Sequence, residues 1–198
     1  MAPPSAAALL KVQLRHSWVN ARWVLEDLQD DEFWWEPTPH CWSVRRRAAG
    51  VTGWGTGEWV CEDGWPPPEP VPVTTIAWRI VHLAAWTDVY LDWTFGSARA
   101  GLQDFLVPGD RAGCTGWLFG AQDRFTAAVD GVDDEAMFEL RPAHWGEMLP
   151  VAHLVTSMLT EHVHHIAEVG VLRDLRRGRA RSQPLPPPVP GPDWWLPG

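Results

Sequence analysis

Residues 160–168 hold three histidines and two glutamates within an otherwise apolar segment. Positions three and four apart share one face of an α-helix, and one such line begins and ends with apolar side chains while its middle is polar. That line contains Leu154, Met158, Glu161, His165, Glu168 and Leu172. Its apolar ends predict an inward-facing line, where an unpaired carboxylate is costly. A divalent cation would compensate that charge, so Glu161 and His165 are predicted metal ligands.

Glu161 and His165 suit a shared ion because they are four positions apart. This spacing separates their side chains by about 40° around the helix and ~6 Å along it, so both can reach one ion at ~2.0–2.2 Å. The third predicted ligand is His82 in the segment TTIAWRIVHLAAW. An alternative set of His82, His162 and His165 ranks second, because His162 aligns with apolar residues and is expected to pack in the core.

Four amphipathic segments, 6–28, 76–95, about 114–129 and 151–177, are the elements that would position these residues. Each has apolar residues at helical spacing. Ser5 and Thr75 are suitable N-caps, and Gly96 is a suitable C-terminal stop. The pattern predicts an all-α four-helix bundle. The domain is expected to span 1–180, followed by a proline-rich tail at 181–198.

The connection between the first two helices is rich in Trp, Pro and Gly, which interrupt helical periodicity over residues 33–72. Its VTGWGTGEWV stretch predicts a small hairpin. A connection of this length in a compact domain is typically a lid or cleft wall. Trp34, Trp35, Trp42 and Trp78 are therefore expected to line a cleft, with Arg45 able to contact a substrate carboxylate. His40 and His144 are expected to be exposed in loops.

Composition excludes several classes of partner. The net charge of −9 argues against nucleic acid. No apolar run approaches the ~20 residues needed to span a bilayer, and the N-terminal residues do not resemble a signal peptide. Three cysteines without a CxxC pair predict no disulfide framework, and we expect a cytoplasmic location. The apolar helix faces would permit a homodimer.

The chain resembles the DinB-like, or YfiT-like, superfamily of metal-binding four-helix bundles. The resemblance is carried by FWWEPTPHCWSVRRR, PVTTIAWRIVHLAAW and EHVHHIAEVGVLRDLRRG. It implies an up-down-down-up bundle with a metal that faces a cavity. The ligands would be His82 from the second helix and an ExxxH pair, Glu161 and His165, from the fourth. The ExxxH form is similar to that of mycothiol-dependent maleylpyruvate isomerase.

This resemblance implies a divalent metal, most simply zinc, although nickel, manganese or iron would suit the same ligands. The metal would activate a low-molecular-weight thiol such as mycothiol for attack on a small electrophile. His164 is a candidate proton shuttle and Glu168 a candidate second catalytic residue that orients a ligand or pairs with Arg173. Two alternatives stay open at this point: a metal-dependent hydrolase, and a bundle that binds metal without catalysis.

Overall fold

The structure, a computed structural model, describes residues 5–178, so the tail predicted at 181–198 lies outside the described part. This part is mostly helical and also contains two small sheets, so the all-α prediction is only partly correct; a hairpin was predicted in one of the two sheets. The helices are α1 (Ala6–Val24), α2 (Asp30–Phe33), α3 (Ile76–Phe95), α4 (Arg111–Asp130) and α5 (Val151–Arg177). The strands are β1 (Val44–Arg46), β2 (Gly53–Trp54), β3 (Trp59–Glu62), β4 (Leu140–Pro142) and β5 (Met148–Pro150).

The four long helices pack around one apolar core. α3 contacts α4 and α5, and α1 contacts the same two helices from the other side. The largest fully buried side chains come from all four helices and include Leu14, Ile80, Leu83, Leu118, Phe125, Leu154 and Met158. Burying such side chains is the dominant favourable contribution to folding. This packing holds the inner faces of α3 and α5 beside each other.

α3 is held at both ends by side-chain caps. The hydroxyl of Thr75 accepts a hydrogen bond from the Trp78 N–H at 3.2 Å. At the other end, the Asp92 carboxylate accepts from the backbone N–H groups of Arg99 and Ala100 at 2.7 and 2.9 Å. These backbone donors lower the pKa of Asp92 to about 2. These bonds set where α3 begins and order the chain that follows it.

The boundaries of α3 and α5 agree with the sequence prediction, whereas α1 and α4 differ at one end. α1 stops at Val24 rather than at Leu28, because the chain turns at Asp27, which has a φ of 54°. α4 begins at Arg111, earlier than predicted, because Asp110 accepts a hydrogen bond from the Gly113 N–H at 2.8 Å and caps the helix there.

The long connection contains the predicted hairpin as part of a three-stranded antiparallel sheet of order β1–β3–β2. Cys61 in the central strand lies opposite Val44 on one side and Trp54 on the other. Gly55 and Gly57 adopt φ values of 111° and 81°, which favour glycine, in the turn between β2 and β3. The connection is therefore an ordered layer, not an irregular loop.

A second hairpin, formed by β4 and β5, lies in a stretch expected to be a loop or extended. Its turn brings His144 and Trp145 against the aromatic side chains of α3.

All three cysteines are buried and free. Across residues 5–178, no helix combines the length and apolar character required to cross a membrane.

Candidate metal centre

Three predicted ligands from two helices converge between α3 and α5. One donor atom each from His82, Glu161 and His165 lies within 4.8 Å of the other two. Glu161 Oε2 is 3.4 Å from His165 Nε2 and 3.8 Å from His82 Nε2. The two imidazole rings meet edge to face with centroids 4.8 Å apart. Two nitrogens and one carboxylate oxygen at this spacing could bind a divalent cation.

The protonation states of these groups suit a cation. The two imidazoles beside it, that of His165 first and that of His82 second, hold the pKa of Glu161 well below its ordinary value, so this carboxylate is ionised. Burial lowers the pKa of His82, and its ring is neutral at neutral pH. A neutral imidazole offers a lone pair, which is the form that binds a metal.

Glu168 selects the useful tautomer of His165. Its Oε2 lies 2.8 Å from His165 Nδ1, at hydrogen-bonding distance, so Nδ1 carries the proton and donates it to the carboxylate. Nε2 then faces Glu161 and His82. A carboxylate behind a metal-binding histidine is the usual way in which proteins orient such a ring. The alternative expectation that Glu168 pairs with Arg173 is wrong, because Arg173 contacts Glu32 instead.

Arg79 completes the support behind His165, a role that was not predicted from the sequence. Its guanidinium forms an ion pair with Glu168. Arg79 Nη1 also lies 3.2 Å from His165 Nδ1, but a protonated Nδ1 cannot accept, so Arg79 donates to the carboxylate. Burial lowers its pKa to about 10, which leaves it charged at neutral pH. Its position three residues before His82, on the same helix face, was the signal available in the sequence.

Of the four tryptophans expected to line a cleft, Trp78 and Trp42 lie on one side of His82. The Trp78 ring stacks on His82 with centroids 4.4 Å apart, and Trp42 stacks on Trp78 at 6.5 Å. The indole N–H of Trp78 donates to the Glu62 carbonyl at 2.6 Å, which ties α3 to the sheet. Trp34 instead stacks on Trp59 in the sheet layer.

Arg45 is engaged with side chains of this chain. Its guanidinium contacts Glu36 at 2.6 Å and Glu62 at 3.0 Å, and it also donates to the Cys41 carbonyl at 3.1 Å. The hydrogen bond to Glu36 is the main reason that the pKa of Arg45 is raised. Contact with a substrate carboxylate would have to compete with these two internal carboxylates.

The other two histidines of the 160–168 segment differ in their surroundings. His162 is fully buried, and both ring nitrogens have protein partners: Ser17 Oγ at 2.8 Å and Gln122 Nε2 at 2.7 Å. It has no ring nitrogen left for a cation, so the set that includes His162 is not supported. His164 is 62% exposed, and its Nε2 lies 3.3 Å from Glu168.

Comparison with known families agrees with this geometry. A sequence profile described as the DinB superfamily matches residues 13–169, well over half of the chain. The chain belongs to the DinB superfamily. The superfamily includes metal-binding enzymes, and the match spans every residue of the three-donor cluster. The comparison with curated proteins gave no match.

In this DinB-superfamily chain, a cavity of about 210 Å³ opens beside the three donors. It is lined by His82, Trp86, Tyr90, His144 and Glu161. His144 was expected to be an exposed loop residue, but it is half-buried, and its ring lies 4.5 Å from that of Trp86. Sequence spacing could not reveal this contact, because it depends on the β4–β5 hairpin folding back on α3.

Proposed function

We propose that this DinB-superfamily chain is a metal-dependent enzyme that activates a low-molecular-weight thiol for attack on a small electrophile. One observation carries the proposal. His82, Glu161 and His165 present three donor atoms within 4.8 Å of one another, and Glu168 lies 2.8 Å from Nδ1 of His165, which directs Nε2 towards the other two donors. Zinc is the simplest cation for this ligand set, and nickel, manganese and iron are the alternatives to test.

The cation, when bound, would lower the pKa of a thiol or water at an open coordination position and hold it in place. The protein's own groups do the rest. The ionised carboxylate of Glu161 reduces the positive charge of the site. The stacked rings of Trp78 and Trp42 cover one face of the His82 ring and exclude water from that side. Glu168 and Arg79 hold the orientation of His165.

Proton movement is assigned to His164 and Glu168. The thiol proton must leave before sulfur forms a bond to the electrophilic carbon and the leaving group departs with its electron pair. His164 is mostly exposed and lies 3.3 Å from Glu168, so it connects the site with bulk water. In this proposal Glu168 is chiefly a positioning residue for His165, and His164 exchanges the proton with solvent.

Metal content is the first experiment, because every enzymatic interpretation requires a cation. The full chain would be purified without a nickel column and its metals quantified by mass spectrometry. About one zinc or another divalent ion per chain is expected. A protein without stoichiometric metal, and unable to take up zinc on dialysis, would contradict the proposal.

The reaction class is tested with a panel of thiols. Mycothiol, bacillithiol, glutathione and cysteine would each be mixed with a chlorobimane, and S-conjugation would be followed by fluorescence. At least one thiol is expected to react faster with the enzyme than without it, and His165→Ala should abolish the difference. If all thiols react at the uncatalysed rate while an ester or amide is cleaved, the chain is a hydrolase instead.

Several predictions from the sequence belong with this proposal. The proposal includes three of them: the up-down-down-up four-helix bundle, the domain limits of 1–180 and the cytoplasmic location. Residues Trp42, Trp78 and Arg45 are its proposed thiol- or substrate-contacting group. A homodimer is compatible with it and would be tested by light scattering of the full chain.

A further inference from the structure

One face of α3 lines the cavity beside the metal donors. His82, Trp86 and Tyr90 follow one another at intervals of four positions, so they lie along the same side of the helix. His82 contributes a metal donor, and the backbone of Tyr90 lies two turns further on, about 12 Å along the axis. The cavity therefore has metal donors at one end and a phenol on the wall beyond them.

Aromatic rings from two elements hold the ring of Tyr90 in place. Its centroid lies 6.4 Å from that of Trp86 on α3, and 5.7 and 6.5 Å from those of His144 and Trp145 in the β4–β5 turn. Only 7% of the residue is exposed. A ring packed on several sides has little freedom to turn, so its hydroxyl keeps a set position.

The hydroxyl of Tyr90 has no hydrogen-bond partner among residues 5–178. Five other side-chain atoms of this part lack a partner and are also sealed from solvent, but the Tyr90 oxygen is not one of them. The oxygen therefore reaches open space, and the space that Tyr90 lines is the cavity. A largely buried phenol normally finds a partner, so the position calls for one from the ligand.

The chemistry of a phenol indicates what that partner is. Burial raises the pKa of Tyr90 above its ordinary value of 10.0, so the hydroxyl keeps its proton and can donate it. A carbonyl oxygen accepts in the plane of the group that carries it. A flat ligand can thus pack its face on Trp86 and receive the hydrogen bond at its edge. The phenol is neutral, so this recognition is the same whether or not a cation is bound.

We propose that Tyr90 determines which ligands this cavity selects. Its hydroxyl donates a hydrogen bond to a carbonyl oxygen at the end of a small flat ligand that points away from the metal donors. Trp86 and His144 pack against the body of that ligand. The use of the ligand as the electrophile of a thiol rests on the proposed function, whereas its binding does not.

Binding is tested with two ligands of matched shape, acetophenone and α-methylstyrene, in which C=CH₂ replaces C=O. Titrations followed by ligand-observed NMR would measure both on the full chain and on Tyr90→Phe, as purified and after treatment with a chelator. Tyr90→Phe keeps the ring and removes only the hydroxyl. It should weaken acetophenone binding about fivefold or more and change α-methylstyrene binding less than about twofold, because only the ketone accepts a hydrogen bond.

The same comparison can overturn the inference in two ways. A ketone that bound the cation instead of Tyr90 would keep its affinity in Tyr90→Phe. Equal acetophenone affinity in the two proteins would therefore contradict the role of the hydroxyl. Absence of measurable binding of both ligands at millimolar concentration would contradict the proposed ligand class.

Two further variants locate the binding site. Trp86→Leu should weaken acetophenone and α-methylstyrene by a similar factor, about fivefold or more, because both ligands use its packing surface. The matched control is Trp65→Leu, which should change neither affinity, since Trp65 is 93% exposed and lies outside the cavity lining. Unchanged affinities in Trp86→Leu, with its circular dichroism spectrum retained, would place the ligands elsewhere and contradict the proposal.

A pair of isomers tests whether the carbonyl lies away from the metal donors. A thiol sulfur would displace bromide from 4-(bromomethyl)acetophenone or from its 2-(bromomethyl) isomer. A C–S bond forms, the C–Br bond breaks, bromide leaves with the electron pair and the thiol proton goes to solvent. The carbonyl is far from the reacting carbon in the first isomer and beside it in the second.

After correction for uncatalysed rates, Tyr90→Phe should lower kcat/KM about fivefold for the 4-isomer and less than about twofold for the 2-isomer. Equal losses for the two isomers would contradict the distal position of the carbonyl. If neither isomer is accelerated with any thiol, the proposed function fails, and the comparison of acetophenone with α-methylstyrene still decides the inference.

Discussion

His162 and His165 lie one turn apart on α5, yet their surroundings are opposite in kind. Both ring nitrogens of His162 are within hydrogen-bonding distance of Ser17 and Gln122, and Trp18 covers one edge of the ring at 4.1 Å. Nδ1 of His165 lies 2.8 Å from Glu168, and its Nε2 faces a carboxylate and a second imidazole. The first arrangement is closed by neutral protein groups, whereas the second places a ring nitrogen beside two further potential metal ligands.

This difference shows how a histidine's role can be inferred from its acceptors and donors. A buried histidine that is satisfied on both sides specifies packing. A histidine that is held on one side by a carboxylate, with its other nitrogen beside further unprotonated donors, is arranged for a cation. Burial alone would not separate the two, because both rings are largely shielded from solvent.

Removing the imidazole of His165 should cause the largest loss in cation binding. We expect His165→Ala to weaken zinc affinity by more than about a hundredfold, since loss of a direct ligand should exceed the 10–100-fold effect of an outer partner. Competition with a chromophoric chelator measures this affinity. The fold should persist by circular dichroism. Zinc affinity within a few-fold of the parent would assign the cation to other residues.

His162→Ala should instead reduce stability and spare the cation. We expect a loss of about 2–4 kcal/mol in the free energy of unfolding, because the change leaves a cavity and unpaired Ser17 and Gln122 groups. Urea denaturation of chelator-treated protein would measure it. His153→Ala, at an exposed position of the same helix, is the control. A tenfold or greater loss of zinc affinity in His162→Ala would contradict the distinction between His162 as a packing residue and His165 as a metal ligand.

The buried His162 also predicts a dependence of stability on pH. Burial lowers its pKa from 6.5 to about 3, so the unfolded chain binds a proton that the folded chain does not. The stability that the neutral His162 ring contributes is fully present above pH 6.5. It is lost as pH falls towards 3, at up to about 1.4 kcal/mol of unfolding free energy per pH unit. Urea titrations of metal-free parent and His162→Gln should therefore converge on acidification. Parallel pH profiles would show that His162 is not buried as a neutral ring.

Glu168→Gln tests whether Glu168 supports the metal centre through His165. The amide can still accept from Nδ1 through its oxygen but lacks the negative charge that pairs with Arg79, so zinc affinity should fall about tenfold. Glu58→Gln, which removes an exposed carboxylate paired with Arg46, is the matched control. Chelator competition on both variants measures the effect. An identical affinity in the two variants would remove Glu168 from the centre.

The smallest effect is expected at His164. Its ring is mostly exposed and stacks on His165 with centroids 4.8 Å apart. His164→Ala should change the free energy of unfolding by less than about 0.5 kcal/mol, as is usual for surface positions. Zinc affinity should change less than about twofold. A larger loss of zinc affinity would make His164 part of the centre rather than its neighbour.

Local patterns predicted α3, α5 and the three donor residues, because helical spacing and capping residues act over a few positions. Glu161 and His165 share a helix, so their proximity follows from the spacing alone. His82 required the additional expectation that its helix packs beside α5, which the predicted four-helix bundle supplied and the family resemblance supported. The structure brings these three together as predicted.

The features that sequence reasoning missed depend on contacts between distant segments. β1 pairs with β3 across the long connection, and such register cannot be deduced from a three-residue strand. His144 reaches the cavity because the β4–β5 hairpin folds onto α3. The role of Arg79 depends on its ion pair with Glu168, which lies 89 positions later in the chain.

The hydrogen bond from the Trp78 indole to the Glu62 carbonyl bears on which ions the protein can hold. It joins α3 to the sheet one turn before His82 and so limits how far this imidazole can shift relative to the pair on α5. The spacing of the three donors is therefore largely set before an ion binds, and little ordering is left to occur on binding. A site with such fixed spacing between its ligands discriminates between ions by their radius. It should bind first-row divalent ions far more readily than a larger ion such as calcium.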